Sequence, residues 1–246
     1  MDKLLYVAMS GAKETLASQA ANNENLANAS TTGFKASLAA FQTRSVSGPG
    51  FASRAYATAA TVGWNSTAGE QLTTGNPLDI AVQGSGFFAV QDLAGQEAYT
   101  RAGDLHVDSS GQLVTAGGRP VLADNGPVAL PPSTSVSIAA DGTVSVVPLG
   151  QPPNSVAAVG RIKLINPPEG ALQKDADGLY RTTDGSTPEA DATVQLSSGV
   201  LESSNVNITG CLVNMIELAR RFDVQIKALH TAEEDGQASA KLLQSS

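Results

Sequence analysis

Apolar positions recur along this chain in three different rhythms. Near the start, Leu5, Ala8 or Met9, Ala12, Leu16, Ala20, Asn23 and Ala27 fall at three- and four-residue steps, the spacing of one helix face. No glycine follows Ala12 until Gly33, and no proline precedes Pro49, so the pattern predicts a helix to about Ala29. Near the end, Leu212, Met215 or Ile216, Ala219, Phe222, Ile226 and Leu229 step by 4, 3, 3, 4 and 3, close to a coiled-coil seam. Ser203, Ser204 and Asn205 stand just before that run and offer N-cap oxygens.

Between these ends the rhythm shortens. Runs such as LDIAVQ, GFFAVQ, QLVT, VSIAA, TVSVV and GRIKLI sit between turn signals at Asp108 to Gly111, Gly117-Gly118, Asn125-Gly126, Asp141-Gly142, Asp177-Gly178 and Asp184-Gly185. Short strands with such turns predict a sandwich or partly closed barrel. From Ala36 to Asn76 the chain is rich in Ser, Thr, Gly and Ala with weak periodicity, which reads as a long extended connector. The expected organisation is an N-terminal helix in 1–35, a connector in 36–78, a β-rich domain in 79–200 and a C-terminal helix in 201–246. The fold class is α+β, with the terminal helices pairing as a coiled coil around a central, mainly-β domain.

Composition narrows the function classes. The chain has 246 residues, of which 41% are apolar, 15% charged and 4% aromatic. A net charge of −8 disfavours nucleic acid, whose phosphates would be repelled. Cys211 has no second cysteine to pair with. No apolar run approaches the ~18 residues of a membrane span, and the apolar stretch after Lys3 is shorter than a signal-peptide core. The charge is uneven. Residues 1–78 carry five basic and four acidic groups, residues 79–200 six and thirteen, and residues 201–246 four and six. The acidic excess therefore belongs to the middle.

Catalytic chemistry finds little support. His106 and His230 lie in different zones, and no HExxH, GxSxG or CxxC occurs. Asp104 with Asp108 matches a strand running into a turn. Asp175, Asp177 and Gly178 resemble a fragment of a calcium loop without its closing Glu. Gly84 and Gly86 lack the GK[ST] of a phosphate loop and fit a bulge or hairpin turn. No enzyme activity, cofactor or metal is expected.

Three strings remain. NNENLANASTTGFK (residues 22–35) sets Asn25 and Asn28 in a row on a helix end, turns at Thr31, Thr32 and Gly33, and places Phe34 beyond the turn. It is either a helix C-cap or a docking elbow whose amides bind another chain. GNPLDIAVQGSGFFAVQ (75–91) leads into YTRAGDLHVD, and SGVLESSNVN (198–207) leads into VNMIELARRF. Together these strings resemble the rod and hook family of bacterial flagellar axial proteins. Gly210 and Cys211 depart from its usual acidic or helix-forming residues.

The resemblance implies a structural subunit of the basal-body rod, on its proximal part, that helps carry torque from motor to hook. It implies export through the flagellar type III apparatus without a cleavable signal, residence in the periplasmic rod, and other rod proteins as axial neighbours, with no nucleic acid and no direct membrane insertion. A distal-rod or hook-type relative, or a free-standing secreted β-rich binding module, are the alternatives. The expected assembly interface comprises Asn25, Leu26, Asn28, Thr32, Gly33, Phe34, Glu202, Asn205, Met215, Ala219, Phe222 and Ile226.

Overall fold

A computed structural model describes residues 2–45, 55–152, 154–168 and 170–244. Helix α1 (Asp2–Ala27) is followed by β1 (Ser37–Ser45), β2 (Ala55–Trp64), β3 (Gln71–Thr73), β4 (Ile80–Gln83), β5 (Phe87–Gln91) and β6 (Glu97–Thr100). Then come β7 (Leu105–Val107), β8 (Leu113–Thr115), β9 (Leu122–Ala123), β10 (Gly126–Pro127), β11 (Ser133–Ile138) and β12 (Thr143–Pro148). The chain ends with β13 (Ala157–Arg161), β14 (Leu164–Ile165), β15 (Leu172–Lys174), β16 (Tyr180–Thr182), β17 (Gln195–Ser198), β18 (Val200–Glu202) and helix α2 (Ile208–Gln244). The class is α+β, as expected. Two units divide it: a helical unit of Met1–Ala27, Ser37–Trp64 and Val206–Ser246, and a β unit of Asn28–Ala36 and Asn65–Asn205. No helix among the described residues is long and apolar enough to cross a membrane.

In the helical unit, α1 lies against α2 and against the β1–β2 hairpin. Thr15 meets Gln225 and Asn22 meets Cys211, so the two helices run antiparallel. The facing side of α1 is small and polar: Ala12, Thr15, Asn22 and Asn25 are buried. Of the apolar stripe predicted for α1, Ala12 lies on this inward side, whereas Met9 and Leu16 are about half exposed and Ala20, Asn23 and Ala27 are exposed. Periodicity ranks the bulkiest apolar face, whereas close helix approach selects small side chains and those that hydrogen-bond across.

On α2 the inward positions are Cys211, Met215, Leu218, Phe222, Gln225, Leu229 and Ala232, alternating steps of four and three. Met215, Phe222 and Leu229 were expected there. Leu212, Ile216 and Ala219, expected on the same seam, are exposed, and Ile226 is half-buried. Two apolar stripes run side by side on this helix, and the expected seam mixes them over its first turns.

The helix ends also differ from expectation. Asn207, not Ser203 to Asn205, caps α2: its Oδ1 accepts the Gly210 N–H at 3.0 Å. Gly210 thus occupies the first turn, where its N–H is satisfied by the cap. α1 stops at Ala27, and among the described residues only glycines take positive φ, so Asn28 is not a left-handed cap.

Part of the expected connector is a regular ladder. β1 and β2 pair antiparallel from Ser37↔Trp64 to Ser45↔Ala55; residues 46–54 lie outside the described residues. Alanine on both faces of these strands leaves no apolar–polar alternation to detect.

The β unit holds a five-stranded sheet ordered β14-β5-β6-β16-β15 and a three-stranded sheet β11-β12-β13, with pairs β17–β4, β18–β3, β7–β8 and β9–β10. Ile80, Phe88, Val90, Leu113, Val144 and Ile162 are buried in one cluster, each contributing about 1.5–3 kcal/mol relative to exposure. Its turns use aspartate side chains. Asp108 accepts from the Ser110 and Gln112 N–H groups, Asp141 from Thr143, Asp184 from Ser186 and Asp191 from Thr193. The Gln112 and Thr143 N–H groups lead the causes that hold Asp108 and Asp141 below the usual range, and the Ser186 and Thr193 hydroxyls, with the N–H groups second, do so for Asp184 and Asp191. Much of the acidic excess of the middle zone is thus turn chemistry.

Candidate assembly site

The three strings singled out in the sequence come together within the β unit. Residues 28–36 leave helix α1 and lie against the end of β18. Thr31 N–H bonds the Asn28 carbonyl at 3.1 Å, and Gly33 then takes φ +67°. A Cβ on Gly33 would lie 2.3 Å from the carbonyl carbon and oxygen of Arg101, so only glycine brings the backbone this close. The Gly33 N–H donates to the Glu202 carbonyl at 2.7 Å, and the Asn205 N–H donates to the Phe34 carbonyl at 3.3 Å. Phe34 is buried, with the Lys174 ammonium 3.7 Å from its ring centroid.

Beside Phe34, Lys35 is fully buried. Its Nζ lies 2.5 Å from Glu202 Oε1 and donates to the Thr67 carbonyl at 2.8 Å. The same Oε1 accepts the Gly69 N–H at 2.8 Å and stands 3.4 Å from Arg101 Nη1. Arg101 also donates to the Gly84 carbonyl and sits 5.6 Å from the Phe87 ring centroid. The Gly84–Gly86 turn is therefore filled by this protein's own guanidinium. Two buried cations share one buried carboxylate. Burial pushes the Lys35 ammonium below its ordinary value, with the Glu202 hydrogen bond opposing and the Arg101 charge adding to the shift. Burial likewise lowers Arg101, and the Glu202 charge opposes it.

Asn205 completes the arrangement. Its Oδ1 accepts the Ala36 N–H at 2.8 Å, while Nδ2 donates to the carbonyls of Asn65 at 3.0 Å and Thr67 at 2.8 Å. Of the expected interface residues, Gly33, Phe34, Glu202 and Asn205 thus meet one another inside the chain. Asn28 and Thr32 lie half-buried in the same segment. Lys35 and Arg101 were not singled out in the sequence. The available signal was a lysine between Phe34 and Ala36 in a chain with few charges.

The remaining expected residues lie in the helical unit. Asn25 is buried and bonds both ways to Ser37, Nδ2 to its carbonyl at 2.9 Å and Oδ1 from its N–H at 2.7 Å. Asn22, also unassigned from sequence, donates to the Cys211 carbonyl at 2.9 Å. Leu26, Met215, Phe222 and Ile226 are half-buried and Ala219 is exposed.

The helices also carry uncovered apolar side chains. On α1, Tyr6, Met9 and Leu16 are 54%, 52% and 50% exposed; on α2, Ile208, Leu212 and Ile216, four residues apart, are 51%, 42% and 53% exposed. A stripe of this kind on a helix marks an interaction surface. Of the residues weighed for catalysis or metals, Asp104 keeps a buried Oδ1 without a hydrogen-bond partner. Asp175 and Asp177 pair with Arg181, Asp108 caps a turn, and His106 and His230 are exposed.

Comparison with known proteins identifies the family. Residues 81–146 match the flagellar hook protein FlgE/F/G D1 domain family, and residues 197–242 match the flagellar basal body rod FlgEFG protein C-terminal family. The chain is 42% identical over 249 residues to the flagellar basal-body rod protein FlgF of Escherichia coli K12, covering 99% of both proteins. FlgF of Salmonella typhimurium gives the same identity and coverage. The flagellar basal-body rod protein FlgG of Buchnera aphidicola (subsp. Acyrthosiphon pisum) is 35% identical over 86% of this chain and 88% of that protein. Matched end to end at this identity, the chain belongs to the family of flagellar basal-body rod proteins typified by FlgF.

Proposed function

We propose that this protein is a structural subunit of the proximal flagellar rod. Its two terminal helices form a coiled-coil pair whose outer faces pack against the same elements of axial neighbours. The observation that carries this reading is the uncovered apolar stripe of Ile208, Leu212 and Ile216 on α2, together with Tyr6, Met9 and Leu16 on α1. A subunit that transmits torque needs non-closing, head-to-tail contacts, and these faces hold few charges to desolvate. Met215 and Phe222 support them from the inner seam, with Ala219 and half-buried Ile226 beside it. Export through the type III apparatus into the periplasm and a non-catalytic role complete the reading.

Ile216→Asp, in cells making no other copy, tests it. The expected result is loss of swimming and basal bodies with incomplete rods, while the purified variant keeps the near-UV spectrum and unfolding midpoint of its β unit. Normal swimming would overturn the reading and favour a free-standing binding module.

A further inference from the structure

The chain passes between its two units four times, after Ala27, Ala36, Trp64 and Asn205. On the β unit the ends of these passages are three segments: 28–36, 65–70 and 202–205. Backbone hydrogen bonds link them sparsely. Gly33 donates to Glu202, Asn65 to Ala36, Ser203 to Glu70 and Asn205 to Phe34. Two side chains on the last segment bind the other two. Glu202 Oε1 takes Lys35 Nζ from the first and the Gly69 N–H from the second. Asn205 takes the Ala36 N–H from the first and gives to Asn65 and Thr67 in the second.

From this geometry we propose that Glu202 and Asn205 are positioning residues that make docking of the three segments one cooperative event. The N-terminal passages are held on the β unit only while the C-terminal one is held. The physical ground is the charge count. With Glu202 in place, Lys35 and Arg101 share its carboxylate. Without it, both would be buried cations with no anion, a state disfavoured more strongly than the pair itself is favoured. Lys35 must then leave for solvent, and Phe34 and Ala36, its chain neighbours, move with it. No spare contact takes over, because all the bonds to the Glu202 carboxylate converge on one oxygen. Its Oε2 and the Arg101 Nε are buried without a hydrogen-bond partner. The first segment, made early in the chain, thus waits for residues made near its end. This inference stands whether or not the protein is a rod subunit.

Hydrogen exchange of the full-length protein tests it. In Glu202→Gln, a near-isosteric change, the amides of Gly33, Ala36, Asn65, Gly69 and Asn205 are expected to exchange at least ten times faster. Those of Ala89, Leu113 and Val121 in the core strands should hold their protection. Asn205→Ala should release the same three segments together. Lys35→Met added to Glu202→Gln removes one of the two unpaired cations and should restore much of the lost protection at Gly33 and Ala36. The proposal is overturned if Glu202→Gln leaves those amides protected, if only one of the three segments loosens, or if the double variant exchanges as fast as the single one. Loss of protection in the core strands of Glu202→Gln would also overturn it, since the residue would then hold the whole unit and not its passages.

Discussion

Replacing Gly33 by alanine probes a close backbone approach in the β unit. The new methyl would sit 2.3 Å from both the carbonyl carbon and oxygen of Arg101, well inside any real carbon–oxygen contact. Those are backbone atoms, so no side chain can rotate away. The alanine must also hold φ near +67°, which disfavours an L-residue by roughly 1–2 kcal/mol. Relief requires the turn to move off Arg101, and that breaks the 2.7 Å bond from Gly33 N–H to Glu202, worth about 1 kcal/mol.

The expected loss is therefore about 3 kcal/mol. Gly118→Ala supplies the control. Its φ is +72° but nothing lies within 4 Å of the new Cβ, so it keeps the conformational term and lacks the collision. Both substitutions remove similar freedom from the unfolded chain. Urea denaturation followed by tyrosine near-UV dichroism suits the measurement, because Tyr99 and Tyr180 are buried in this unit. Gly33→Ala should lie below Gly118→Ala by roughly 1 kcal/mol or more. If the two variants are equally stable, the close approach at Arg101 carries no energy and the description of the turn is wrong.

Two further outcomes are expected. Arg181 pairs with Asp92 and Asp177, and its hydrogen bonds lead the causes that hold both carboxyls below their ordinary value. A depressed folded-state value adds stability that is complete above about pH 4, the unfolded value, and is lost as pH falls through the folded one. An acid titration of Arg181→Met should therefore show a shallower loss below about pH 4 than the parent; identical acid limbs would contradict this. In the helical unit, Thr15 Oγ1 lies 3.0 Å from both the Gly11 carbonyl and Gln225 Oε1. Thr15→Val should cost about 1 kcal/mol, and adding Gln225→Leu should recover it while loosening the register of the helix pair. A double variant less stable in thermal unfolding than Thr15→Val alone would refute that assignment.

What could be read from the sequence follows from which physical signals are local. The six expected turns are local, and Gly111, Gly118, Gly126, Gly142, Gly178 and Gly185 all take positive φ. The strands of the β unit were legible because LDIAVQ and GFFAVQ are buried along most of their length. The β1–β2 hairpin was not, since alanine on both strand faces erases the alternation on which the reading depends. Candidate site residues show the same divide. Gly33, Phe34, Glu202 and Asn205 were found through the strings that contain them. Their neighbours Lys35 and Arg101 escaped, because the carboxylate that accounts for their burial is 167 positions from the first and 101 from the second. No periodicity reports a pairing at that range.

The reversed face of α1 carries the most weight for function. A solitary two-helix pair would bury its bulkiest apolar side chains between the helices, where each contributes about 1.5–3 kcal/mol. This pair instead places Ala12, Thr15, Asn22 and Asn25 inward and leaves Tyr6, Met9 and Leu16 about half exposed. Small and amide side chains bring the helices close and fix their register through Thr15–Gln225 and Asn22–Cys211. That arrangement forgoes hydrophobic stabilisation between the two helices and, on the proposed reading, leaves it for contacts with axial neighbours. The apolar periodicity that first marked α1 therefore mixes inward Ala12 with the exposed Met9 and Leu16. On the proposed reading the exposed members are what the helix offers to a neighbour, and the polar residues between them hold the chain together.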